Sequence, residues 1–420
     1  MAQETLGAEA AAEPRRRSSM FALFGERDYR AYWIATFFYF LVFGAQRFTF
    51  VLLVLELTDR AGLGGLVGFT LGIPAFFITL PAGVWADRFN RQRMVLFTNM
   101  AGFAVMGTVA ILAVTGILNA GFALVLALGA GFTAAMVQPP LMSIVPMIVP
   151  RDRLMNGIVL RTMGMNLAQV FGAGLAGLLI AVAGFEGAFA AQAAFYGIAA
   201  LAIARIRLGE APPPPAERPR MAAQAIEGLR FVFENAALRA LVLISVVTGL
   251  FMLGPTFVLV PEIARTKLEV GSTLNGMLMT FTGAGMFVMS LFLASRATLS
   301  RKGYWFLLNF LIAGPIVVAI GLSPVYALTA AAMFAWGVGG GVFINMNQTL
   351  VQLNTPDSMM GRVMAIYMLS IAGLLPLGSL LAGLGAEVIG PDWYMAFCGG
   401  VLTLCAVYSW LTMRELRVMD

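Results

Sequence analysis

The chain has 420 residues, of which 60% are hydrophobic and 11% charged, with a formal net charge of +6 and no histidine. A soluble domain is about 25% charged, so long apolar runs at this composition exclude a large soluble core and read as a polytopic membrane protein. Cys398 and Cys405 stand two helical turns apart on one apolar segment, roughly 10 Å and beyond disulfide reach. With no metal cluster, nucleophile triad or phosphate loop visible, neither an enzyme nor a resident cofactor is expected.

Residues 1–30 form a polar N-terminal tail containing Arg15, Arg16 and Arg17. It has no apolar stretch ending in a cleavage site and is not read as a cleaved signal. A first six-helix bundle is expected over 31–206, with spans near 31–55, 62–86, 94–116, 120–148, 157–183 and 186–206. The first span contains LVFGAQRFTFVLLVLELT (41–58), which sets Gln46 and Arg47 inside an apolar helix. An arginine there costs about 2.5–3.5 kcal/mol on insertion scales. Arg47 lies roughly 12 Å from the outer end of its helix, too far for comfortable snorkelling. It is expected to face the interhelical space and to bond carbonyls, water or substrate.

The turn after the second span reads GVWADRFNRQR (83–93). The fourth span carries Gln138, and the fifth carries Thr162, Asn166 and Gln169 on one helical face. Arg161, a few residues into the fifth span, is expected to snorkel to the headgroups. Residues 207–237 form a linker. Its segment GEAPPPPAERPR (209–220) reads as stiff. AAQAIEGLRFVFENAALRAL (222–241) reads as an amphipathic surface helix running into the seventh span.

A second six-helix bundle is expected over 238–413, with spans near 238–262, 272–295, 303–322, 325–351, 361–389 and 393–413, and a C-terminal tail at 414–420. The tenth span carries Asn345, Gln348, Thr349 and Gln352 on one face, with Asn347 turned away. Such polar groups either line a substrate path or bond between helices, for about 0.6 kcal/mol each. With the N-terminus placed inside, the basic residues fall in inner loops and tails, leaving Arg60, Arg265 and Lys267 outside. Both termini are therefore expected in the cytoplasm. The same distribution explains the positive charge without a nucleic-acid partner.

The halves repeat. GAGLAG (172–177) and GSLLAG (378–383) recur at an offset of 206, which also pairs Pro150 with Pro356 and Gly184 with Gly390. TFVL occurs at 49–52 and at 256–259, each followed by an acid, Glu56 and Glu262. A six-helix unit duplicated in parallel places a substrate path between the halves.

Residues 83–93 resemble the loop motif of the Major Facilitator Superfamily, with Gly83, Asp87, Arg88, Arg91 and Arg93 at its spacing. Asn90 stands where a second glycine is common, and Asn tolerates left-handed backbone. IVPRDRLMNGIV with NLAQVFGAGLAG, EGLRFVFENAALRAL and MGRVMAIYMLSIAGLLPLGSLLAG resemble the branch holding enterobactin-type exporters and macrolide efflux proteins. The resemblance implies an all-α membrane protein, with twelve transmembrane helices in two pseudo-symmetric six-helix bundles. It further implies a monomer among the lipids of the inner membrane, exporting a small organic molecule by alternating access.

In the resembled fold helices one, four, seven and ten contribute to the central cavity. Arg47, Gln46, Gln138, Asn166, Gln169 and Asn345 are the candidate substrate residues. Gly83 would let helix two approach helix eleven, and Asp87 would sit at the positive N-terminal end of helix eleven, at Gly361 and Arg362. With Arg88, Arg91 and Arg93 at the phosphate level, these form an expected cytoplasmic latch. The chain departs from the branch at Ala45, where an acid is frequent, at Leu141, where an arginine is frequent, and at Ala173, where a proline is usual. No Asp or Glu falls deep inside any expected span, so the usual buried proton relays are missing. Four readings stay open: an antiporting exporter of an anionic, siderophore-like or drug-like molecule; a facilitator or anion exchanger without proton coupling; a proton-driven multidrug exporter; and a non-transporting sensor on the same scaffold.

Overall fold

The computed structural model describes residues 20–208, 221–295, 301–356, 358–413 and 417, and within these leaves the side chains of 20, 80, 83, 84, 86–88, 221–225, 294 and 295 undescribed. Most of both expected tails and the Pro-rich segment 209–220 lie outside the described residues. Within them all regular structure is helical. The chain runs α1 (Arg27–Thr58), α2 (Ala61–Arg88), α3 (Arg91–Val114) and α4 (Ala120–Ile148). A helical stretch over Leu154–Ala204 follows. Then come α7 (Met221–Glu234), α8 (Ala236–Thr266), α9 (Ser272–Ser295), α10 (Lys302–Leu322), α11 (Tyr326–Leu353), α12 (Met360–Ile389) and α13 (Pro391–Thr412).

Among the described residues eleven helical runs are long and apolar enough to cross a bilayer, and one of them spans 54 residues. Such a run would be roughly 80 Å long against a hydrocarbon core of about 30 Å. The chain breaks it at Ala183 (φ −134°) and Gly184 (φ +67°, ψ −177°). A side chain at Gly184 would be strained in that left-handed region. The break makes two crossings, α5 (154–182) and α6 (185–204), and so twelve in all.

Other ends are set by ordinary capping. Asn90 accepts from the Arg93 N–H, Asn119 from Phe122 and Asn235 from Ala237 and Leu238, satisfying donors that a helix start leaves open. Asn90 has φ −64°. The tolerance of Asn for left-handed backbone is not drawn on there, and the residue serves as an N-cap.

Two apolar cores are separate in sequence. One gathers Leu23 to Ile206; the other gathers Val232 to Ala406, together with Ala61 from the start of α2. In a bilayer, lipid tails are as apolar as leucine, so helices associate through close packing and hydrogen bonds rather than through water exclusion. The halves meet along two seams, α2 on α12 and α5 on α9. On the first, a Cβ at Gly65 would lie 2.6 Å from the Ser379 carbonyl oxygen and 2.8 Å from Gly383 Cα. On the second, a Cβ at Gly276 would lie 2.5 Å from the Ala173 carbonyl oxygen and 3.2 Å from Gly177 Cα. Neither seam has room for a side chain at its glycines.

α8 and α12 each contain one wide π turn, at Gly249–Leu253 and Leu369–Gly373. The two turns touch: a Cβ at Gly249 would stand 2.9 Å from the Ile371 oxygen and 3.2 Å from that of Ser370.

Candidate functional site: the cleft between the halves

The helix ends sort by charge. One end, here the basic end, holds Arg30, Arg91, Arg93, Arg153, Arg207 and Arg362 at the boundaries of α1, α3, α5, α6 and α12. The opposite, far end holds the α1–α2 turn, the α5–α6 break and the start of α9. Both seams lie in the far half of the molecule, since they join the beginnings of α2 and α9 to the endings of α12 and α5.

Polar closure follows the same pattern. Asp59 accepts from Arg265 at 2.6 Å, and Glu387 accepts from Arg60 at 3.2 Å and from the Gly62 N–H at 3.3 Å. Ser272 donates to the Gly177 carbonyl at 3.0 Å. These bonds between the halves all lie at the far end. Toward the basic end, α4 and α11 pack chiefly on helices of their own halves, and Phe76, Phe77, Met155 and Met163 are exposed. The cleft between the halves is sealed at the far end.

Arg47 stands at the closed apex of this cleft. Its Nη1 donates to the Gly68 carbonyl at 3.1 Å. Its Cζ lies 5.6 Å from the centroid of the Phe257 ring, across the divide on α8. A Cβ at Gly72 would come within 3.4 Å of Nη2, so glycine leaves space beside that nitrogen. No carboxylate among the described residues forms an ion pair with Arg47. A guanidinium on an aromatic face in a desolvated site is worth about 2 kcal/mol, and one carbonyl bond leaves most of its five donors unused.

The other expected substrate residues separate into two groups. Gln46 turns into the first half: it is buried, and its Oε1 accepts from the Tyr196 hydroxyl at 3.3 Å. Asn166 is exposed. It continues the α5 stripe of Gly177, Ala173 and Val170 that meets α9, one turn beyond the last contact and toward the basic end. Gln169 is half-buried, and its backbone packs against Gly44. Gln138 is half-buried on α4, beside the Tyr39 hydroxyl. Asn345 is exposed, with its amide donating to the Gly341 carbonyl at 2.7 Å and to Ser290 at 3.3 Å. Asn347 is buried and donates to Ser245 of α8 at 2.8 Å. Arg47 and Asn166 therefore border the cleft, while Gln46 belongs to the interior of one half.

Of the expected latch, the side chains of Gly83, Asp87 and Arg88 lie outside the described residues. Arg91 donates to the Met147 sulfur at 3.3 Å, and Arg93 is exposed. Gly361 is exposed, and a Cβ there would meet nothing within 4 Å. Arg362 pairs with Glu227 of α7 at 2.7 Å, which ties the surface helix to the start of α12. Arg161 does not snorkel. It is buried between α1 and α4, with Tyr32 against it. The expectation measured its distance from the helix end and missed the two α1 tyrosines that close over it.

Sequence reasoning also missed a cavity of about 380 Å³ inside the second half, lined by Met252, Asn309, Phe310, Trp336, Gly339 and Phe343 among others. Its walls come from three helices and are apolar apart from Asn309, a combination that no local pattern brings together.

The family model described as transmembrane secretion effector matches residues 18–420. The chain belongs to that family. It lies within the Major Facilitator Superfamily, as the loop motif led one to expect, and is a secondary transporter that exports a small molecule, not an enzyme. The enterobactin exporter EntS of Shigella boydii serotype 4 (strain Sb227) is 26% identical over 394 residues, covering 93% of this chain and 92% of that protein. EntS of Escherichia coli O1:K1 / APEC matches at the same identity and coverage. Among solved structures, the nucleoside transporter NupG superposes with a TM-score of 0.73 at 15% identity, covering 92% of this chain and 99% of that one. A bacterial homologue of the human lysosomal transporter Spinster, in an inward-facing and occupied conformation, gives 0.67 at 15% identity, covering 94% and 98%. These structural likenesses carry the fold alone.

Proposed function

We propose that the protein exports a small anionic organic molecule from the cytoplasm, entering an inward-open cleft and leaving at the far end when the seams part. The basic end is the cytoplasmic one, by the excess of arginine there, with both termini on that side of the inner membrane. The working unit is one chain among lipids. Its two moving bodies are 31–206 and 238–413, joined by 207–237 and flanked by the tails 1–30 and 414–420. The observation that carries the substrate charge is Arg47, an arginine at the apex of the cleft with no carboxylate partner among the described residues and with donors to spare. A siderophore-like anion fits an arginine set against the Phe257 ring, and the similar EntS proteins are named as enterobactin exporters. Gln138, Asn166, Gln169 and Asn345 supply polar contacts toward the entrance, and Gln46 holds α1 against α6 behind Arg47.

Gly83, Asp87, Arg88, Arg91, Arg93, Gly361 and Arg362 form the cytoplasmic latch of the opposite, outward-open state. The absence of a carboxylate or histidine at mid-depth favours exchange or facilitated movement over an intramembrane proton relay.

The test is uptake into liposomes by purified protein, comparing an aryl carboxylate or catecholate with a lipophilic cation. The anion is transported, and Arg47→Gln abolishes its uptake while the protein stays folded. Transport of the cation alone, or an unchanged rate in Arg47→Gln, overturns the proposal.

A further inference from the structure

Arg161 is 7% exposed, and its Nε and Nη2 have no hydrogen-bond partner. These two nitrogens share one edge of the planar guanidinium, the edge that donates two parallel bonds to a single anion. No carboxylate among the described residues forms an ion pair with this arginine, so a full positive charge is buried without a counter-charge. That arrangement is strongly unfavourable unless something supplies the charge.

The surroundings hold neutral hydroxyls rather than acids, and the Tyr32 oxygen faces Arg161 as an uncharged acceptor that supplies no counter-charge. Tyr32, 1 turn before Thr36 on α1, lies beside both Arg161 and Thr36. Its hydroxyl proton goes to the Leu141 carbonyl at 3.0 Å, and that of Tyr29 goes to the Gly157 carbonyl at 2.8 Å. The Thr36 hydroxyl is buried and has no partner. Two independent orphans, a guanidinium edge and a hydroxyl, therefore flank one buried tyrosine where α1 packs on α5. Guanidinium and hydroxyl donors without a carboxylate are the chemistry of an anion site. The burial restricts the occupant to something of a few atoms.

We propose that Arg161, with Thr36, binds a small monovalent anion, a halide or a carboxylate of formate size, inside the first half and apart from the substrate cleft. The bound ion supplies the counter-charge that no side chain provides. Because it rests on the first half alone, the site is independent of what the cleft carries.

The experiment is thermal unfolding of the full-length protein in detergent, in sodium chloride, bromide or formate against sodium gluconate at equal ionic strength. Anion binding to the folded state raises the midpoint with the logarithm of anion concentration above the dissociation constant, by roughly 3 °C. Arg161→Gln removes the increment. Thr36→Val, which keeps the shape and loses one donor, moves the onset of the rise to about tenfold higher anion concentration and so lowers the increment at any one concentration. A larger effect of halide or of formate identifies which anion the pocket prefers, and either supports the site. In bromide-soaked crystals an anomalous peak stands beside the guanidinium. Equal midpoints in chloride and gluconate, an undiminished increment in Thr36→Val, or only water at the guanidinium each overturn the proposal. Thr36→Val decides the matter even if Arg161→Gln does not fold.

Discussion

The α2–α12 seam and the α5–α9 seam are closed by corresponding glycine pairs, Gly65 on Gly383 and Gly276 on Gly177, and they differ in what surrounds those pairs. The first has Glu387 bound to Arg60 and to the Gly62 N–H, with Arg47 lodged beneath it against Gly68 and Phe257. The second has one hydroxyl bond, Ser272 to Gly177, and a threonine, Thr280, against Gly174. Gly177 and Gly383 are partners in the internal repeat. The duplication thus kept small residues wherever backbones must touch and let the chemistry beside them diverge. What the copies share is the close backbone contact; what they do not share is the charge and the arginine beside the first seam.

The comparison breaks hardest at the glycines. A side chain in Gly383→Leu would start 2.6 Å from the Ala61 carbonyl and 2.7 Å from Gly65 Cα. The far end then cannot close, transport in liposomes falls more than tenfold, and far-side labelling of an engineered cysteine in the cleft rises. At the opposite end Asp87→Asn weakens the proposed latch. Labelling of the cytoplasmic cavity rises several-fold, and an unchanged rate of labelling would remove the latch from the mechanism.

Smaller changes separate the seams from each other. The Arg60–Glu387 pair is partly exposed, and such pairs contribute about 0.2–1 kcal/mol. Glu387→Gln therefore moves the inward-to-outward ratio by about 1.4- to 5-fold, measured by spin-label distances across the far end. The effect fades in 1 M salt, where the screening length is about 3 Å. Ser272→Ala on the uncharged seam costs about 0.6 kcal/mol, a shift of less than threefold that salt does not alter. Equal salt sensitivity in the two variants would mean that the seams are not chemically distinct.

The helices were legible in the sequence because length and apolarity suffice for them. Expected spans such as 120–148 and 272–295 coincide with α4 and α9, and the break at Gly184 separated two crossings that continuous helical bonding runs together. Facing was legible where polar residues shared a stripe, as with exposed Asn345 and buried Asn347 on α11. Partners were not. The Gln46 amide is held by Tyr196, 150 positions away, Arg362 by Glu227 of the surface helix, and Arg161 is enclosed by tyrosines of α1. Each depends on a rotation of one helix about its axis relative to another, which periodicity along a single helix does not contain. The closed far end was illegible for the same reason, since the glycines report that helices touch but not in which state of the cycle.

The touching π turns of α8 and α12 have a mechanical consequence. A π turn holds one residue more than an α turn, so tightening it rotates everything beyond by about 100° and advances it by about 1.5 Å. α1 carries no such slack and runs as one α-helix from Arg27 to Thr58. α8 is therefore jointed where α1 is continuous. The basic-side segments of the second half, including Ser245 on α8 and the Arg362 end of α12, can swivel while the far end keeps its grip.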